Sequence, residues 1–218
     1  MSSAKVAIRK SVKSLLATIP ANDIQAQSIK ITKELSEFLK PYKNIACYMS
    51  MDQGEVDTKY ILQELFKENK EVFLPRCTTT KETGHQILRD NNSHHPHLTF
   101  HRMESWEQIK NLKPQGKYQL REPEVEEIAP FPPKLDVILV PGVAFNLKNG
   151  ARMGHGAGYY DDFFHRYKIH HHKKDHTVKP ILIGLSLKQQ IIDILPIEKH
   201  DYLMDGIVTG DGVFHWIN

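Results

Sequence analysis

Short apolar runs alternate with amphipathic stretches of ten or more residues along this chain, and this alternation constrains the fold more than any other feature. The run from Asp136 to Val140 is the strongest candidate for a central strand, because it is continuous, rich in β-branched residues and followed by Pro141-Gly142. Similar runs predict strands over residues 45–49, 72–74, 180–185, 206–209 and 213–216. Because helices separate most of these strands, we expect an α/β fold with right-handed βαβ units and a mostly parallel sheet.

Proline and aspartate residues mark the predicted ends of several elements. Apolar residues at helical spacing indicate a first helix that Pro20 ends and a second helix that Asp23 caps. Asp57 is predicted to open a third helix, and Pro75 is predicted to close the strand at residues 72–74. Two more helices are predicted, over residues 159–168 and 188–195.

The middle of the chain, residues 77–133, is polar and rich in proline. Strands are predicted near residues 86–88 and 98–101, which we interpret as a hairpin or a meandering excursion rather than a separate domain. Histidines near residues 94–97 and 170–172 are interpreted as solvated loops, with metal binding as the alternative. A length of 218 residues suits one large domain or two small ones, and we assign residues 1–218 to a single domain.

Charge and cysteine content exclude several classes of protein. The formal net charge is only +3, which by itself does not indicate a nucleic-acid partner. No apolar run approaches the roughly 18 residues of a membrane span, and two cysteines suit free thiols in a reducing compartment. We therefore expect a cytoplasmic protein without a nucleic-acid or membrane partner. The acid-free basic start before Asp23 also fits a mitochondrial presequence, and this alternative stays open.

Four glycines within nine positions follow the predicted central strand and precede a predicted helix: Gly150, Gly154, Gly156 and Gly158. Backbone N–H groups of such a loop can approach a ligand closely, and a helix N-terminus beyond it favours phosphate. The spacing matches neither the Walker motif nor the dinucleotide fingerprint. For the glycines alone, a tight turn without a ligand is the alternative.

Side chains beside the glycines strengthen the phosphate hypothesis. Arg152 offers a bidentate guanidinium, and Tyr159-Tyr160 offers ring faces and hydroxyls to a flat ligand. Asp161 next to bound phosphates is a candidate Mg²⁺ ligand. The alternatives are helix packing for the tyrosines and a favourable interaction with the helix dipole for Asp161.

Taken together, Pro141-Gly-Val-Ala-Phe145 and Arg152-Met-Gly-His-Gly-Ala-Gly-Tyr-Tyr-Asp161 resemble the 5-formyltetrahydrofolate cyclo-ligase family, also called 5,10-methenyltetrahydrofolate synthetases. Three weaker stretches agree and extend the resemblance over nearly the whole chain: Lys5 with Arg9, Ser50 to Thr58 with Gly54 as a one-residue insertion, and Pro196 to Asp201. The resemblance implies a three-layer α/β/α sandwich, similar to the sugar-phosphate isomerase and CoA-transferase class.

The resemblance also implies the activity. It is the ATP- and Mg²⁺-dependent cyclisation of 5-formyltetrahydrofolate to 5,10-methenyltetrahydrofolate, through phosphorylation of the formyl oxygen and attack by N10. Phosphoryl transfer depends mainly on positioning and charge stabilisation, so no covalent nucleophile and no single catalytic side chain is assigned. The partners implied are the two small-molecule substrates, and we expect a monomer.

Family residues can be placed on matching positions of this sequence. The nucleotide site is implied to comprise Lys5, Arg9, Arg152, Met153, Gly154, His155, Gly156, Ala157, Gly158, Tyr159 and Tyr160. The folate site is implied to comprise Arg9, Met49, Glu55, His155, Gly156, Ala157, Gly158 and Tyr159, and the metal ligands are implied to be Asp161 and Asp201. The alternatives are a solvated helix face for Lys5 and Arg9, a surface loop for Glu55 and the core for Met49. If Lys5 and Arg9 bind phosphate, removal of the basic start as a presequence would delete two ligands.

His155 departs from the family pattern, which usually has Arg at this position. Imidazole titrates near pH ~6.5, whereas guanidinium stays charged, so charge stabilisation by His155 would depend on pH.

Two other functions remain open. A phosphosugar isomerase on the same fold would need no ATP, because fold alone does not select the activity. A non-catalytic folate-binding or RNA-binding module would use the basic N-terminal helix and bind in a salt-dependent way.

Overall fold

A computed structural model of the chain describes residues 3–51, 54–84, 96–115, 119–124, 131–132, 134–172 and 179–217. Its helices are α1 Ser3–Leu16, α2 Ala21–Leu39, α3 Lys59–Lys67, α4 Thr80–Thr83, α5 Trp106–Lys110 and α6 Tyr159–His172, with a 3₁₀ turn at Lys188–Gln190. Its strands are β1 Asn44–Ala46, β2 Glu71–Thr79, β3 Pro96–Met103, β4 Pro114–Gln115, β5 Leu120–Arg121, β6 Val137–Val140, β7 Ala144–Phe145, β8 Arg152–Met153, β9 Ile181–Ser186, β10 Gly206–Thr209 and β11 Val213–Trp216.

Seven strands form one sheet in the order β11-β10-β9-β6-β1-β2-β3. The five inner strands run parallel, and the two edge strands, β3 and β11, pair antiparallel with their neighbours. Strand β6 lies in the middle with all four residues buried, as the apolar run after Asp136 predicts. The predicted α/β fold with a mostly parallel sheet is confirmed.

Alternating side chains send each inner strand's residues to two different cores. Ile45 and Leu139 face one core, which they share with the apolar sides of α1, α2 and α3. Ala46 and Ile138, one residue away, face a second core, to which α6 contributes three aromatic residues: Phe163, Phe164 and Tyr167. Helices therefore cover both faces of the sheet, and the molecule has the three α/β/α layers expected.

Several predicted boundaries are wrong, each for a local reason. Asp23 does not cap α2, because the helix begins at Ala21 after Pro20 and places Asp23 in its first turn, where it complements the dipole. Pro75 lies inside β2, at a position where β1 has already stopped pairing at Phe73, so the missing donor is tolerated.

The helix predicted over residues 188–195 is only a 3₁₀ turn. The residues that follow this turn bond to β7 instead, because the N–H of Ile192 donates to the carbonyl of Phe145 at 2.8 Å. The side-chain amide of Asn146 also donates to the carbonyls of Ile192 and Asp193. These bonds replace the helical pattern.

The loop interpretation is wrong for the four of these histidines that the structure describes, because His97 lies in a strand and His170, His171 and His172 lie in a helix. His97 lies in β3 and is fully buried, with Nδ1 3.9 Å from the Asp162 carboxylate, and α6 extends to His172 with His171 buried. His94 and His95, and the strand predicted at residues 86–88, lie outside the described residues. In the part of the chain that the structure describes, no helix has the length and apolarity of a membrane span.

Candidate active site

The hairpin β7–β8 positions the glycine loop. Asn146 organises its turn, because its side-chain oxygen accepts from the backbone N–H groups of Lys148 and Asn149. The chain returns through Arg152 and Met153, and residues 154–158 then run directly into the N-terminus of α6. The loop therefore starts beside the carboxyl end of the central strand, where α/β proteins bind ligands.

The four glycines of the loop have different structural roles. Gly156 and Gly158 have φ values of 105° and 78°, which other residues rarely adopt. A Cβ on Gly154 would lie 3.0 Å from Nη1 of Arg152. Gly150 belongs to the fold instead: its Cβ would lie 2.5 Å from the carbonyl oxygen of Met204, whose N–H donates to the Gly150 carbonyl. Gly150 thereby fixes the segment around residue 204 beside the hairpin.

Arg152 is the most buried charge at the loop, with 4% of its side chain exposed. Its Nη2 donates to Oδ2 of Asp161 at 2.9 Å, and its Nη1 donates to the carbonyl of Pro141 at 3.2 Å. Its Nε is buried and has no hydrogen-bond acceptor among the described residues. The second oxygen of Asp161 accepts from the backbone N–H of Tyr202, which brings Asp161 next to Asp201 in space.

Helix α1 brings two basic side chains to the same place. Lys5 is 6% exposed, and its Nζ lies 2.8 Å from Oδ2 of Asp201 and 3.4 Å from Oε2 of Glu198. Arg9 donates from Nε to the carbonyl of Gly154 at 2.8 Å. The alternative of a solvated helix face is therefore wrong for both residues.

Glu55 faces the glycine loop from the segment that follows β1. It is buried, its Oε2 accepts from the N–H of Met51, and its Oε1 lies 3.5 Å from Nε2 of His155. The surface-loop alternative for Glu55 is wrong. Met49 is half-buried against the core on the α1 face of the sheet.

Comparison with known proteins identifies the family of this chain. The model of the 5-formyltetrahydrofolate cyclo-ligase family matches residues 1–210. This chain belongs to that family. It is 51% identical to the 5-formyltetrahydrofolate cyclo-ligase of Saccharomyces cerevisiae, over 97% of this chain and 98% of that protein. It is 31% identical to the mouse 5-formyltetrahydrofolate cyclo-ligase, over 97% and 96% respectively.

A solved structure supports the same assignment. The NMR structure of Aquifex aeolicus 5,10-methenyltetrahydrofolate synthetase superposes with a TM-score of 0.71 and 27% identity, covering 98% of this chain and 93% of that one. The cyclo-ligase chain is thus an enzyme, and the sequence resemblance to its family is confirmed.

Tyr160 and the two cysteines, Cys47 and Cys77, lie in surroundings that disfavour their ionised forms. Burial raises the pKa of Tyr160 well above its usual range, with further contributions from Cys77 and Cys47, so the phenol stays neutral. Its ring lies 5.6 Å from the Arg152 guanidinium and contacts Phe100 and Phe164. Burial likewise raises the pKa of both thiols. None of these groups is set up as a nucleophile.

The segment before Tyr202 contains the clearest group of possible metal ligands. Glu198, His200 and Asp201 offer ligand atoms within 4.8 Å of one another, and among described residues they are the one group of three with this spacing. Burial raises the pKa of Asp201, but hydrogen bonds from Lys5 and the Glu198 N–H outweigh it and leave that pKa below its usual value. Of these three residues, the sequence analysis predicted only Asp201 as a metal ligand. Glu198 and His200 lie in the same family-like stretch, and that position could have indicated them.

The remaining predicted site residues differ in how far their side chains are buried. The side chain of Met153 is buried in the core, so only its backbone is available to a ligand. Tyr159 is partly buried against the aromatic core, and Ala157 is exposed. Sequence analysis missed Gln190, a buried side chain that donates to the carbonyl of Gly142 at 2.5 Å and fixes the strand end before the loop. No motif marks it.

Proposed function

We propose that this chain catalyses the cyclisation of 5-formyltetrahydrofolate to 5,10-methenyltetrahydrofolate, with ATP as co-substrate and Mg²⁺ as cofactor. The family and the names of the relatives support the folate chemistry. The single observation that carries the nucleotide part is the buried Arg152 Nε, a charged donor without an acceptor among the described residues, at the glycine loop. A phosphate oxygen would satisfy it, as anions do at helix N-termini.

The reaction needs activation because the formyl oxygen of an amide is a poor leaving group. In the proposed first step the formyl oxygen attacks the γ-phosphorus, and ADP leaves. In the second, N10 attacks the activated carbon and loses its proton to solvent, and phosphate departs with the former formyl oxygen, leaving the methenyl bridge. Lys5, Arg9, Arg152 and the backbone N–H groups of residues 154–158 would hold the phosphates and stabilise the charge that develops during transfer.

Asp161 and Asp201 would hold Mg²⁺, which prefers carboxylate oxygens and would supply positive charge that offsets the charge of the nucleotide phosphates. Two observations support the fit. The N–H of Tyr202 donates to Asp161, so the two acids lie on adjoining parts of the site, and Glu198 and His200 add possible ligands beside Asp201.

Glu55 would bind the pterin ring, because a buried carboxylate can accept from the ring's amino and N–H groups. His155, 3.5 Å away, would then lie between the pterin and the phosphates. Met49 and Tyr159 are proposed as walls of this pocket. Arg9, Gly156, Ala157 and Gly158 complete the folate side of the proposed site.

Turnover of 5-formyltetrahydrofolate with and without Mg-ATP tests this function, because the conjugated methenyl product absorbs light that the substrate does not. We expect product, ADP and phosphate in equal amounts, and no product without ATP. ATP-independent conversion of a phosphosugar would favour an isomerase instead. Steeply salt-dependent binding of RNA without turnover would favour a binding module.

The remaining properties are also proposals. Residues 1–218 would act as one domain, because the seven-stranded sheet takes strands from residue 44 to residue 216. A cytoplasmic location fits a basic N-terminal helix whose Lys5 is buried against Asp201, because cleavage as a presequence would remove that contact. We expect a monomer that binds small molecules only.

A further inference from the structure

Lys5 makes an unusual contact for a residue in the first turns of an N-terminal helix. Its ammonium group lies 2.8 Å from Oδ2 of Asp201 and 3.4 Å from Oε2 of Glu198, and only 6% of the residue is exposed. A lysine so buried is normally paired, and here two carboxylates share it. The same Asp201 oxygen also accepts from the N–H of Glu198, so the ammonium joins an ordered acceptor.

The carboxylates that hold Lys5 are the ones with metal-ligand spacing. Glu198, His200 and Asp201 place their ligand atoms within 4.8 Å of one another. A divalent cation needs direct bonds to such oxygens, and it would repel an ammonium group bonded to the same Asp201. Lys5 and a divalent cation therefore cannot use Asp201 in the same way at the same time.

Arg152 and Asp161 repeat this arrangement. The Arg152 guanidinium donates to Asp161 at 2.9 Å, so each acid proposed to bind Mg²⁺ is paired with a cation proposed to bind phosphate. Mg-nucleotide carries both complementary charges: the metal can take the carboxylates, and the phosphates can take Lys5 and Arg152. Metal alone would displace the two cations without giving them new partners.

We propose that Lys5 competes with divalent cations for Asp201 and Glu198 and releases these carboxylates most readily when phosphate oxygens take up its ammonium group. This inference rests on the proposed function and adds a binding rule to it: metal and nucleotide bind as one unit. By linkage, each ligand must raise the affinity of the other by the same factor. Removing the charge of Lys5 should therefore raise the affinity for metal alone and lower the affinity for metal-nucleotide.

The Lys5→Met variant tests this rule, because Met keeps an unbranched stem of similar length without the charge. Helix α1 should remain docked in the variant, since Val12 and Leu16 are buried in the core and Arg9 still donates to the Gly154 carbonyl. Lys10→Met is the matched control: Lys10 lies on the same helix, carries the same charge and is exposed. Lys5→Arg retains the charge and should preserve the competition.

Isothermal titration with Mn²⁺ alone, and then with Mn²⁺ and a non-hydrolysable ATP analogue, measures both affinities without turnover. We expect Lys5→Met to bind Mn²⁺ alone about tenfold more tightly than the wild type, and the Mn²⁺-analogue complex about tenfold more weakly, within the usual range of coupling between sites. Lys10→Met should match the wild type in both titrations. The opposite signs matter, because a merely structural role for Lys5 would weaken both affinities.

A second measurement uses the unaltered protein, so it stands even if Lys5→Met fails to fold. The ¹⁵N NMR signal of the Lys5 side chain should shift when Mg²⁺ alone occupies the carboxylates, and it should shift at a lower Mg²⁺ concentration when the ATP analogue is also present. A Lys5 signal that stays in place when Mg²⁺ alone saturates the site, or Mn²⁺ affinity unchanged or weaker in Lys5→Met, would overturn the competition. If the wild type turned over 5-formyltetrahydrofolate in either case, the proposed function would stand; a wild type without nucleotide binding or turnover would overturn the proposed function itself.

Discussion

Asp161 and Asp162 are neighbours in the first turn of α6, and each forms an ion pair with an arginine, yet the two pairs differ in the elements that they join and in the other contacts of the arginine. Asp162 pairs with Arg166 at 2.7 Å, four residues along the same helix, and Arg166 also donates to the carbonyl of Leu98 in β3. Asp161 pairs with Arg152 from a different element, and Arg152 has a buried Nε without an acceptor among the described residues.

The Asp162–Arg166 pair stabilises the fold, whereas the Asp161–Arg152 pair is available to exchange its partners for a ligand. Arg166 joins α6 to the edge strand β3, and its guanidinium also lies 5.6 Å from the Phe163 ring. Burial lowers the pKa of Arg166, while Asp162 favours its charged form. Arg152, in contrast, lies at a glycine loop where a ligand can approach. Two adjacent aspartates, each paired with an arginine, thus have different roles.

The largest effect is expected from Asp162→Ala. Its removal leaves Arg166 buried without its carboxylate, since 2% of the Asp162 side chain and 9% of the Arg166 side chain are exposed. We expect the free energy of unfolding to fall by about 3–5 kcal/mol, as when one partner of a buried pair is lost. Urea denaturation measures this loss. A smaller loss than in Asp161→Ala would contradict the structural role assigned to Asp162.

Asp161→Asn and Arg152→Ala should instead reduce activity. Each removes a charge from the proposed phosphate and metal site, and we expect kcat/KM to fall about 100-fold or more. In Asp161→Asn the amide oxygen can still accept from the Tyr202 N–H, so we expect a smaller loss of stability than in Asp162→Ala. The cyclisation assay and urea denaturation of the same preparations check both parts. Wild-type rates in both variants and in Glu55→Ala would show that the residue assignments are wrong, even if the activity is right.

Most of the fold could be predicted because it depends on local patterns. The buried run at residues 137–140 and the helical spacing in α1 and α2 decide the layers before any long-range contact is known. The predictions failed where a distant group replaced a local bond. Asn146 and Phe145 bind the backbone of residues 192–193 and prevent a helix there, and no local signal in that segment announces it.

The site was predictable only as far as its motif extends. The glycine loop, Arg152 and Asp161 follow one another in sequence, so their proximity could be expected. The contacts of Lys5 with Asp201, 196 residues away, and of Glu55 with His155 depend on the tertiary fold. Composition cannot distinguish Asp161 from Asp162 either, because both are acids in the same helical turn and only the tertiary partner differs.

The pH dependence of activity tests whether His155 contributes charge at the glycine loop. If it stabilises phosphate charge, kcat/KM should fall more steeply above neutrality in the wild type than in His155→Arg, because guanidinium keeps its charge. We expect a several-fold difference between the two pH profiles, with Glu55, the acid 3.5 Å away, present in both proteins. Superimposable profiles would remove His155 from this role and leave Arg152 as the charge that matters at the loop.

The smallest effect is expected for the Lys5–Asp201 pair, which, like the Arg152–Asp161 pair, can exchange its partners for a ligand. Burial raises the pKa of Asp201, but bonds from Lys5 and the Glu198 N–H leave it below the ordinary 3.8, so the folded state binds this proton less readily than the unfolded state. The stabilisation is therefore fully present above about pH 4 and is lost as pH falls further. We expect the difference in unfolding free energy between the wild type and Lys5→Met to be constant from pH 5 to 7 and to shrink by about 1 kcal/mol or less at pH 3.5, as measured by urea denaturation. A difference that stays constant down to pH 3.5 would mean that the Lys5 charge is not coupled to the ionisation of Asp201, and the pair would then not belong with the exchangeable contacts.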